Sequence, residues 1–193
     1  MRVPARLLGL ALLLVPATPS ARAAGQSWVD QPLSAWNSPG ADVPTAPPGF
    51  GDARCYAAQA RWAETPEDQA VVDAGWGLFN PYRAGWGIAV IDATSGYDGM
   101  CRPDGFQSFV FVDGVFAGTI SPEPMTARAT GAGSVVALRD GALTARFLRY
   151  ADTDPLCCPS RGAVVIEYQV DRTPAGPVLT AASRIEEPPP RDP

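Results

Sequence analysis

Two aspartates in the last third of the chain, Asp152 and Asp154, are separated by a single residue. This spacing could bind a hard cation such as Ca²⁺, which prefers oxygen ligands. An EF-hand loop needs further ligands and a closing glutamate, and the residues after Asp154 do not supply them. Aspartates also commonly hydrogen-bond the backbone of their own turn, and this structural interpretation is the simpler one. We therefore predict no cofactor and leave the metal undetermined.

Glycoside hydrolysis is a second chemistry that carboxylates alone could support, since its paired acids need neither histidine nor lysine. Most of the acids are expected to lie in turns, and several of them are next to glycine: Asp98, Asp104, Asp113 and Asp140. Glu167 differs because it interrupts an apolar run between Ile166 and Tyr168. That pattern favours the solvated face of a strand over a buried general acid. We assign no catalytic residue.

The chain contains no histidine and no lysine, so all fifteen of its basic residues are arginines. The absence of histidine excludes Ser-His-Asp and Cys-His sites and His-ligated zinc or haem. The absence of lysine excludes Schiff-base chemistry and the phosphate-loop lysine. These exclusions favour a binding protein over an enzyme.

Residues 1–23 are typical of a secretory signal. Arg2 and Arg6 precede nine apolar residues at 7–15, and small residues then lead to an Ala-Arg-Ala cleavage pattern ending at Ala23. A membrane-spanning helix needs about 20 apolar residues, so we expect cleavage and no transmembrane span afterwards. The first cysteine is Cys55, which indicates a periplasmic or secreted protein without a lipid-anchor cysteine.

Removing the signal takes away three arginines and no acid, so the formal charge changes from −5 to −8. An acidic exported chain is a poor partner for nucleic acid or for anionic membranes. We expect an envelope protein or a cell-wall component as the partner, and the sequence leaves the oligomeric state open. The remaining length suits one domain with a sizeable core.

The four cysteines of this exported chain predict two disulfides. We favour separate bridges from Cys157 and Cys158 to Cys55 and Cys101, without deciding which pairs with which. Pairing adjacent cysteines demands an unusual local ring. Each long bridge would contribute about 2–4 kcal/mol. The alternative is a redox switch formed by Cys157 and Cys158 themselves.

The pattern along the chain predicts a mainly β (α+β) fold, in which a disulfide-stapled antiparallel sheet of about seven short strands accompanies one short N-terminal helix. Residues 24–51 form an extended Pro/Gly-rich arm, and residues 52–182 form a single β-rich domain whose helix covers 52–63, capped by Asp52. Residues 183–193, charged and proline-rich from Glu186, are predicted to be a disordered tail.

The predicted strands are placed by turn residues. Apolar runs at 71–79 and 86–92 flank a turn at 80–83. Type I′ Asp-Gly turns at 113–114 and 140–141 join two hairpins, and 162–170 and 177–181 are further strands. Trp76 and Trp86 sit in a repeated Ala-Gly-Trp-Gly motif. Exposed, the pair would suit a carbohydrate; we favour a packing role.

Two polar loops are the candidate ligand sites, since fixed loops often carry recognition in exported domains. The first is the polar, Gly-rich stretch at 92–103, which we expect a disulfide at Cys101 to hold near its end. The second follows the last hairpin and leads into the paired cysteines. Their candidate contacts are Tyr97, Asp98, Arg102, Arg149, Asp152, Asp154 and Arg161.

The chain resembles the LppP/LprE-type bacterial envelope proteins. The resemblance rests on the hairpin at 109–122, on Arg149-Tyr150, on the Cys-Cys-Pro-Ser-Arg corner at 157–161, and on an N-terminal part around Trp36 and Cys55. It spans roughly residues 36–181, and the cysteine corner is its most specific piece. It implies an exported protein without an assigned enzymatic role and supplies no catalytic residues. This sequence lacks the lipid-accepting cysteine for which the family is named.

These observations favour a non-enzymatic binding or accessory module whose loops contact a cell-wall or protein ligand. One alternative is a carboxylate- or calcium-dependent enzyme acting on glycans, with Asp152, Asp154 and Glu167 as its candidates. Another is a proteinaceous inhibitor that presents Tyr97 on the 92–103 loop.

Overall fold

The described residues form two short helices and eight strands. A computed structural model describes residues 27–49, 51 and 53–189. The expected signal peptide and helix cap Asp52 lie outside the described residues. After a 3₁₀ turn at Trp28–Asp30, the elements are α1 Ala53–Gln59, α2 Pro66–Asp73, β1 Gly77–Gly85, β2 Ile88–Tyr97, β3 Pro103–Val112, β4 Val115–Thr119, β5 Gly133–Arg139, β6 Ala142–Leu148, β7 Ala163–Thr173 and β8 Gly176–Glu187.

The strands form two antiparallel four-stranded sheets, β1-β2-β3-β4 and β5-β6-β7-β8. The predicted β-rich antiparallel class is confirmed, and the predicted count of about seven strands and one helix is only approximate, because the described residues form eight strands in two sheets and two short helices. The chain changes sheets after β4, where Met125 exchanges backbone hydrogen bonds with Phe106 of β3 at 2.7 and 2.9 Å. Contacts between β4 and β8 and between β1 and β5 bring the edges of the two sheets together.

Alternation along β2 shows how the layers stack. Ile88 and Val90 face the second sheet and pack in a core with Phe147 and Ile166. Ala89 and Ile91 face the other way, into a second core that includes residues of α2. Successive strand residues point to opposite faces, so β2 is buried on both. The fold is therefore three layers: helices, first sheet, second sheet.

Helix α2 begins at a strong N-terminal capping signal and includes the first residues of the strand predicted over 71–79. Thr65 is the N-cap and accepts a 3.1 Å hydrogen bond from the Asp68 N–H, and Pro66 occupies the first turn. The strand predicted over 71–79 was wrong in its first part, since 71–73 complete α2. The helix predicted over 52–63 is shorter, because α1 ends at Gln59.

The turn predicted at 80–83 is a bulge inside β1. Phe79 pairs with Asp92 and Arg83 with Val90, so β1 carries extra residues against its neighbour. The true hairpin turn is Trp86-Gly87, with φ of 53° and 74°. The Asp-Gly turns are confirmed at both predicted places, with positive φ at all four central residues.

Two segments predicted as loop or tail belong to strands. β2 continues through Tyr97, which pairs with Pro103, so only five residues, 98–102, connect β2 to β3. The 92–103 loop was therefore mostly wrong. β8 continues to Glu187, which pairs with Ala163. Residues 183–187 of the predicted tail therefore belong to a strand. In both cases backbone pairing extends strands through polar residues.

The disulfides are Cys55–Cys101 and Cys157–Cys158, so the favoured pairing was wrong. Helix α1 lies over the β2–β3 loop and brings the Cα atoms of Cys55 and Cys101 to 4.9 Å. The adjacent cysteines belong to the connection between β6 and β7 in the other sheet, and they pair with each other.

The segment before α1 closes the β4–β8 edge of the sandwich. The Trp36 indole donates to the Thr119 carbonyl at 2.9 Å. The Asn37 amide donates to the carbonyls of Thr119 in β4 and Leu179 in β8 at 3.0 and 2.9 Å. A Cβ at Gly118 would meet the Asn37 amide at 2.2 Å, so glycine is required for this approach.

The left-handed conformation of Trp86 generates a stability prediction. A non-glycine residue there costs roughly 1–2 kcal/mol, and type I′ turns prefer Asn-Gly. Since the Trp86 side chain is 62 % exposed, Trp86→Asn should raise the free energy of unfolding by about 1 kcal/mol and Tm by roughly 2–4 °C. The control is Trp62→Asn, at an 88 % exposed residue without positive φ. Equal gains in both variants would contradict the conformational explanation.

A buried ion pair joins α2 to the β1 bulge. Arg61 donates two hydrogen bonds to the Asp68 carboxylate, at 2.7 and 2.6 Å, and a third to the Asn80 carbonyl. Burial raises the pKa of Asp68, but hydrogen bonds from Arg61 and the Glu64 N–H and the Arg61 charge outweigh it. The pKa of Asp68 is therefore lowered.

A lowered carboxyl pKa stabilises the fold at neutral pH, and this contribution is lost as the pH falls below the ordinary value of 3.8 through the folded value. We expect Asp68→Asn to melt below the parent chain at pH 7 and the difference to shrink by pH 3. Thermal melts across this range measure it. A difference that does not change with pH would refute this linkage.

Candidate ligand cleft between the sheets

Asp92 is the acid that the strand pattern carries into the interior. It follows Ile88 and Val90 at alternate positions of β2 and therefore points toward the second sheet. Only 6 % of the residue is exposed. Its cross-strand partner is Ser108 of β3, whose hydroxyl donates to the Asp92 carboxylate at 2.5 Å. A polar pair thus occupies a face that is otherwise apolar.

The β1 bulge supplies the other two partners of Asp92. The Asn80 amide donates to the carboxylate at 3.0 Å, and the Arg83 guanidinium donates to the same oxygen at 2.7 Å. A second guanidinium nitrogen donates to the Val136 carbonyl of β5 at 2.6 Å. Arg83 therefore connects three strands of the two sheets. Asn80 has a φ of 59°, a conformation that asparagine tolerates.

A cleft of about 460 Å³ adjoins this polar group, between β1, β3 and β5. Its volume lies within the range of small-molecule sites, which are mostly apolar with a few placed polar groups. Its polar lining is Asn80, Arg83, Asp92, Arg102 and Ser108. Its other lining residues are Phe79, Pro103, Phe106, Ile120, Met125, Ala127, Gly133 and Val136.

Hydrogen bonds hold the polar group of the cleft in place. Asp92 already accepts hydrogen bonds from Ser108, Arg83 and Asn80, and Arg83 neutralises its charge. Arg83 uses one hydrogen of each terminal nitrogen, which leaves one on each for a ligand acceptor. Since a side chain held on both sides moves little, the cleft presents these donors in a fixed position.

Arg102 is the predicted site residue that reaches this cleft. Its guanidinium pairs with Asp98 at 2.5 Å across the β2–β3 loop. Hydrogen bonds from the Arg102 backbone and side chain and from the Met100 N–H lower the pKa of Asp98. The adjacent Cys55–Cys101 bridge fixes the same loop to α1. The loop therefore holds Arg102 at the rim.

Tyr97, predicted as an exposed loop residue, is buried in β2. Its ring stacks edge-on against Tyr56 with centroids 4.8 Å apart. Burial raises the pKa of its phenol, and the hydroxyl has no hydrogen-bond partner among the described residues. An inhibitor that presents Tyr97 is therefore excluded, since 1 % of the residue is exposed.

The second group of predicted residues surrounds the β6–β7 connection. Arg149 pairs with Asp30 at 2.9 Å and with Glu186, so it ties the N-terminal segment to β8. Asp154 accepts backbone hydrogen bonds from Ala151 and Ser160, both at 2.7 Å. Hydrogen bonds from Ser160 and Ala151 lower the Asp154 pKa. These side chains hold the loop.

The remaining residues of that group, Asp152 and Arg161, are exposed. Glu167 is exposed on β7, where its carboxylate accepts from Ser183 at 2.6 Å. Glu167 thus lies on the exposed face of β7, whereas Asp152 and Asp154 lie in the loop that connects β6 to β7. Within residues 27–49, 51 and 53–189, no group of three acidic or cysteine side chains could hold a metal.

The two repeated tryptophans have different environments. Trp76 is buried, stacks on Phe109 with centroids 5.1 Å apart and donates to the Pro44 carbonyl at 2.7 Å. Trp86 is exposed at a hairpin turn. A paired carbohydrate surface therefore does not form, and the packing interpretation is correct for Trp76.

Asp92, Ser108 and Arg83 were not among the predicted site residues. The signal was available in the alternation of Ile88, Val90 and Asp92, which places an acid on the apolar face. Predicting residues 80–83 as a turn concealed the partners of that acid.

Comparison with known proteins bears on the segment that contains Asp92, Ser108 and the cysteine corner. Residues 86–173 match the LppP/LprE lipoprotein family. The predicted resemblance is confirmed over that segment, and the match is consistent with an envelope protein. The N-terminal part of the resemblance, around Trp36 and Cys55, lies outside it.

No curated protein and no solved structure gives a significant match to the chain. Among the described residues, no helix has the length and apolar character needed to cross a membrane.

The hydrogen bonds of Asp92 predict a stability effect. Asp92→Asn removes the charge paired with Arg83 and turns one acceptor into a donor, so we expect a loss of about 1–3 kcal/mol. Chemical denaturation measures it. Asp152→Asn, at an exposed loop acid, is the matched control and should leave stability unchanged. Equal effects in the two variants would show that the Asp92 contacts do not stabilise the fold.

Proposed function

We propose that this chain is an exported envelope protein that binds a small amphipathic molecule in the cleft between the two sheets and catalyses no reaction. The observation that carries the proposal is the cleft of about 460 Å³, in which Arg83, Asn80 and Asp92 form a preorganised polar end against mostly apolar walls. Sites for small ligands combine these two features.

The polar end supports binding without turnover. A general base must reach the proton that it abstracts. Three donors already contact the Asp92 carboxylate and occupy most of its lone-pair sites, so its main role is to hold Arg83, Asn80 and Ser108 in place. Ser108 donates its proton to a carboxylate that Arg83 neutralises, so no strong base activates its hydroxyl.

The sequence pattern and the family match support a location in the cell envelope. The sequence pattern favours export, and the family is one of envelope lipoproteins. The ligand in this proposal is a small envelope component that enters the cleft, with Arg102 at its rim. This replaces the loop contacts at Tyr97 and Arg149, whose side chains are engaged inside the protein.

A side chain that fills the cleft should weaken binding. The probe is 8-anilinonaphthalene-1-sulfonate, an amphipathic dye, titrated into the folded chain and followed by fluorescence. We expect Val136→Trp to weaken binding by at least about tenfold, or roughly 1.4 kcal/mol, because the indole occupies the apolar part of the cleft. Ala127→Phe is a second filling variant, for use if Val136→Trp does not fold.

The matched control is Val115→Trp, at a valine exposed beside the β3–β4 turn. It should bind the dye as the parent chain does. Thermal melts must show that all the variants remain folded, since partly unfolded chains also bind this dye. Equal binding by the control and the filling variants would refute the cleft as the site.

A further inference from the structure

The two disulfides of this protein occupy different environments. Cys55–Cys101 spans 46 residues and joins α1 to the β2–β3 loop, and Cys55 is buried. Cys157 and Cys158 are neighbours in the chain, and both are exposed in the β6–β7 connection. One bridge is a long-range crosslink, whereas the other lies at the surface.

The chain-entropy contribution of a disulfide grows with the length of the loop that it closes. A bridge between neighbouring residues closes only a small local ring, so it restricts the unfolded chain very little. Stabilisation of the fold is therefore a poor explanation for Cys157–Cys158.

The β6–β7 connection is held by contacts that do not involve sulfur. The Asp154 carboxylate accepts from the backbone N–H of Ala151 and of Ser160. At its base, Arg149 and Arg161 are joined by a 3.2 Å backbone hydrogen bond. The loop can thus keep its course when the S–S bond is broken.

Thiol–disulfide exchange requires that an attacking thiolate reach a sulfur atom. Both cysteines are exposed, and the neighbouring Leu156 is 61 % exposed. Cys55, by contrast, is 3 % exposed. Cys101, its partner, is half-buried. A thiolate in solution therefore has freer access to the adjacent pair than to the Cys55–Cys101 bridge.

We propose that Cys157–Cys158 is a reversible dithiol–disulfide site that exchanges electrons with an external dithiol. One thiolate of the reductant attacks the Sγ atom of either cysteine, forms a mixed disulfide and releases the other cysteine as a thiolate, which takes up a proton. The second thiolate of the reductant then breaks the mixed disulfide and becomes part of a disulfide itself. Two electrons and two protons pass to the cysteine pair.

The test uses the full chain, purified oxidised and titrated with dithiothreitol at pH 7. Free thiols are alkylated with iodoacetamide and located by mass spectrometry of the peptides. We expect Cys157 and Cys158 to become alkylated at a reductant concentration at least about tenfold below that required for Cys55 and Cys101. Oxidised glutathione should restore the pair, and Tm should stay unchanged through this first step.

Two double variants separate this site from the structural bridge. Cys157→Ser with Cys158→Ser should abolish the first reduction step and leave Tm unchanged. The matched control, Cys55→Ser with Cys101→Ser, should retain the first step and lower Tm by roughly 10 °C. The proposal is overturned if both bridges are reduced over the same range, if Cys157 and Cys158 are alkylated before reductant is added, or if reducing them unfolds the chain.

Discussion

The ion pair between the half-buried Arg83 and the buried carboxylate of Asp92 determines how the two sheets meet beside the cleft. Asp92 belongs to the centre of the first sheet, and Arg83 reaches it from the β1 bulge while donating to Val136 in the second sheet. An unpaired charge at this position would destabilise the fold. The position of Arg83 in the β1 bulge therefore depends both on the Asp92 carboxylate and on the Val136 carbonyl of β5. The cleft exists because a polar group occupies positions that hydrophobic side chains would otherwise fill.

The opposite edge of the sandwich is closed by different means. Trp36 and Asn37 donate hydrogen bonds to backbone carbonyls, and Asn37 connects β4 with β8. Trp28 packs edge-on against Phe147 in the second sheet, with centroids 4.7 Å apart. Side chains of the N-terminal segment therefore cover one edge of the sandwich by contacting backbone carbonyls and Phe147. At the other edge, side chains of β1 and β5 border a space large enough for a ligand.

Local signals in the sequence were sufficient for part of this fold. The Asp-Gly turns placed two hairpins correctly, since positive φ at those residues depends on adjacent residues alone. The division into two sheets was not predictable in this way, because it depends on where the chain goes after Thr119. The pairing of Cys55 with Cys101 likewise depends on α1 lying over the β2–β3 loop.

The site shows the same division. Asp92 could have been recognised from its alternation with Ile88 and Val90, but Arg83 and Asn80 become its partners only through a bulge that has the composition of a turn. The loop residues chosen from composition proved to be structural supports, as at Arg149 and Asp154. Polar residues between strands can thus mark places where the backbone of a turn needs hydrogen bonds.

Locating the bound dye tests whether the cleft between the sheets is the ligand site. Two-dimensional ¹H–¹⁵N spectra of the folded chain, recorded while 8-anilinonaphthalene-1-sulfonate is added, report which backbone amides respond. If the dye occupies the cleft, the largest shifts fall on the surrounding residues Asn80, Arg102, Ser108 and Val136. Shifts confined to the hairpin turns or to the β6–β7 connection would contradict it.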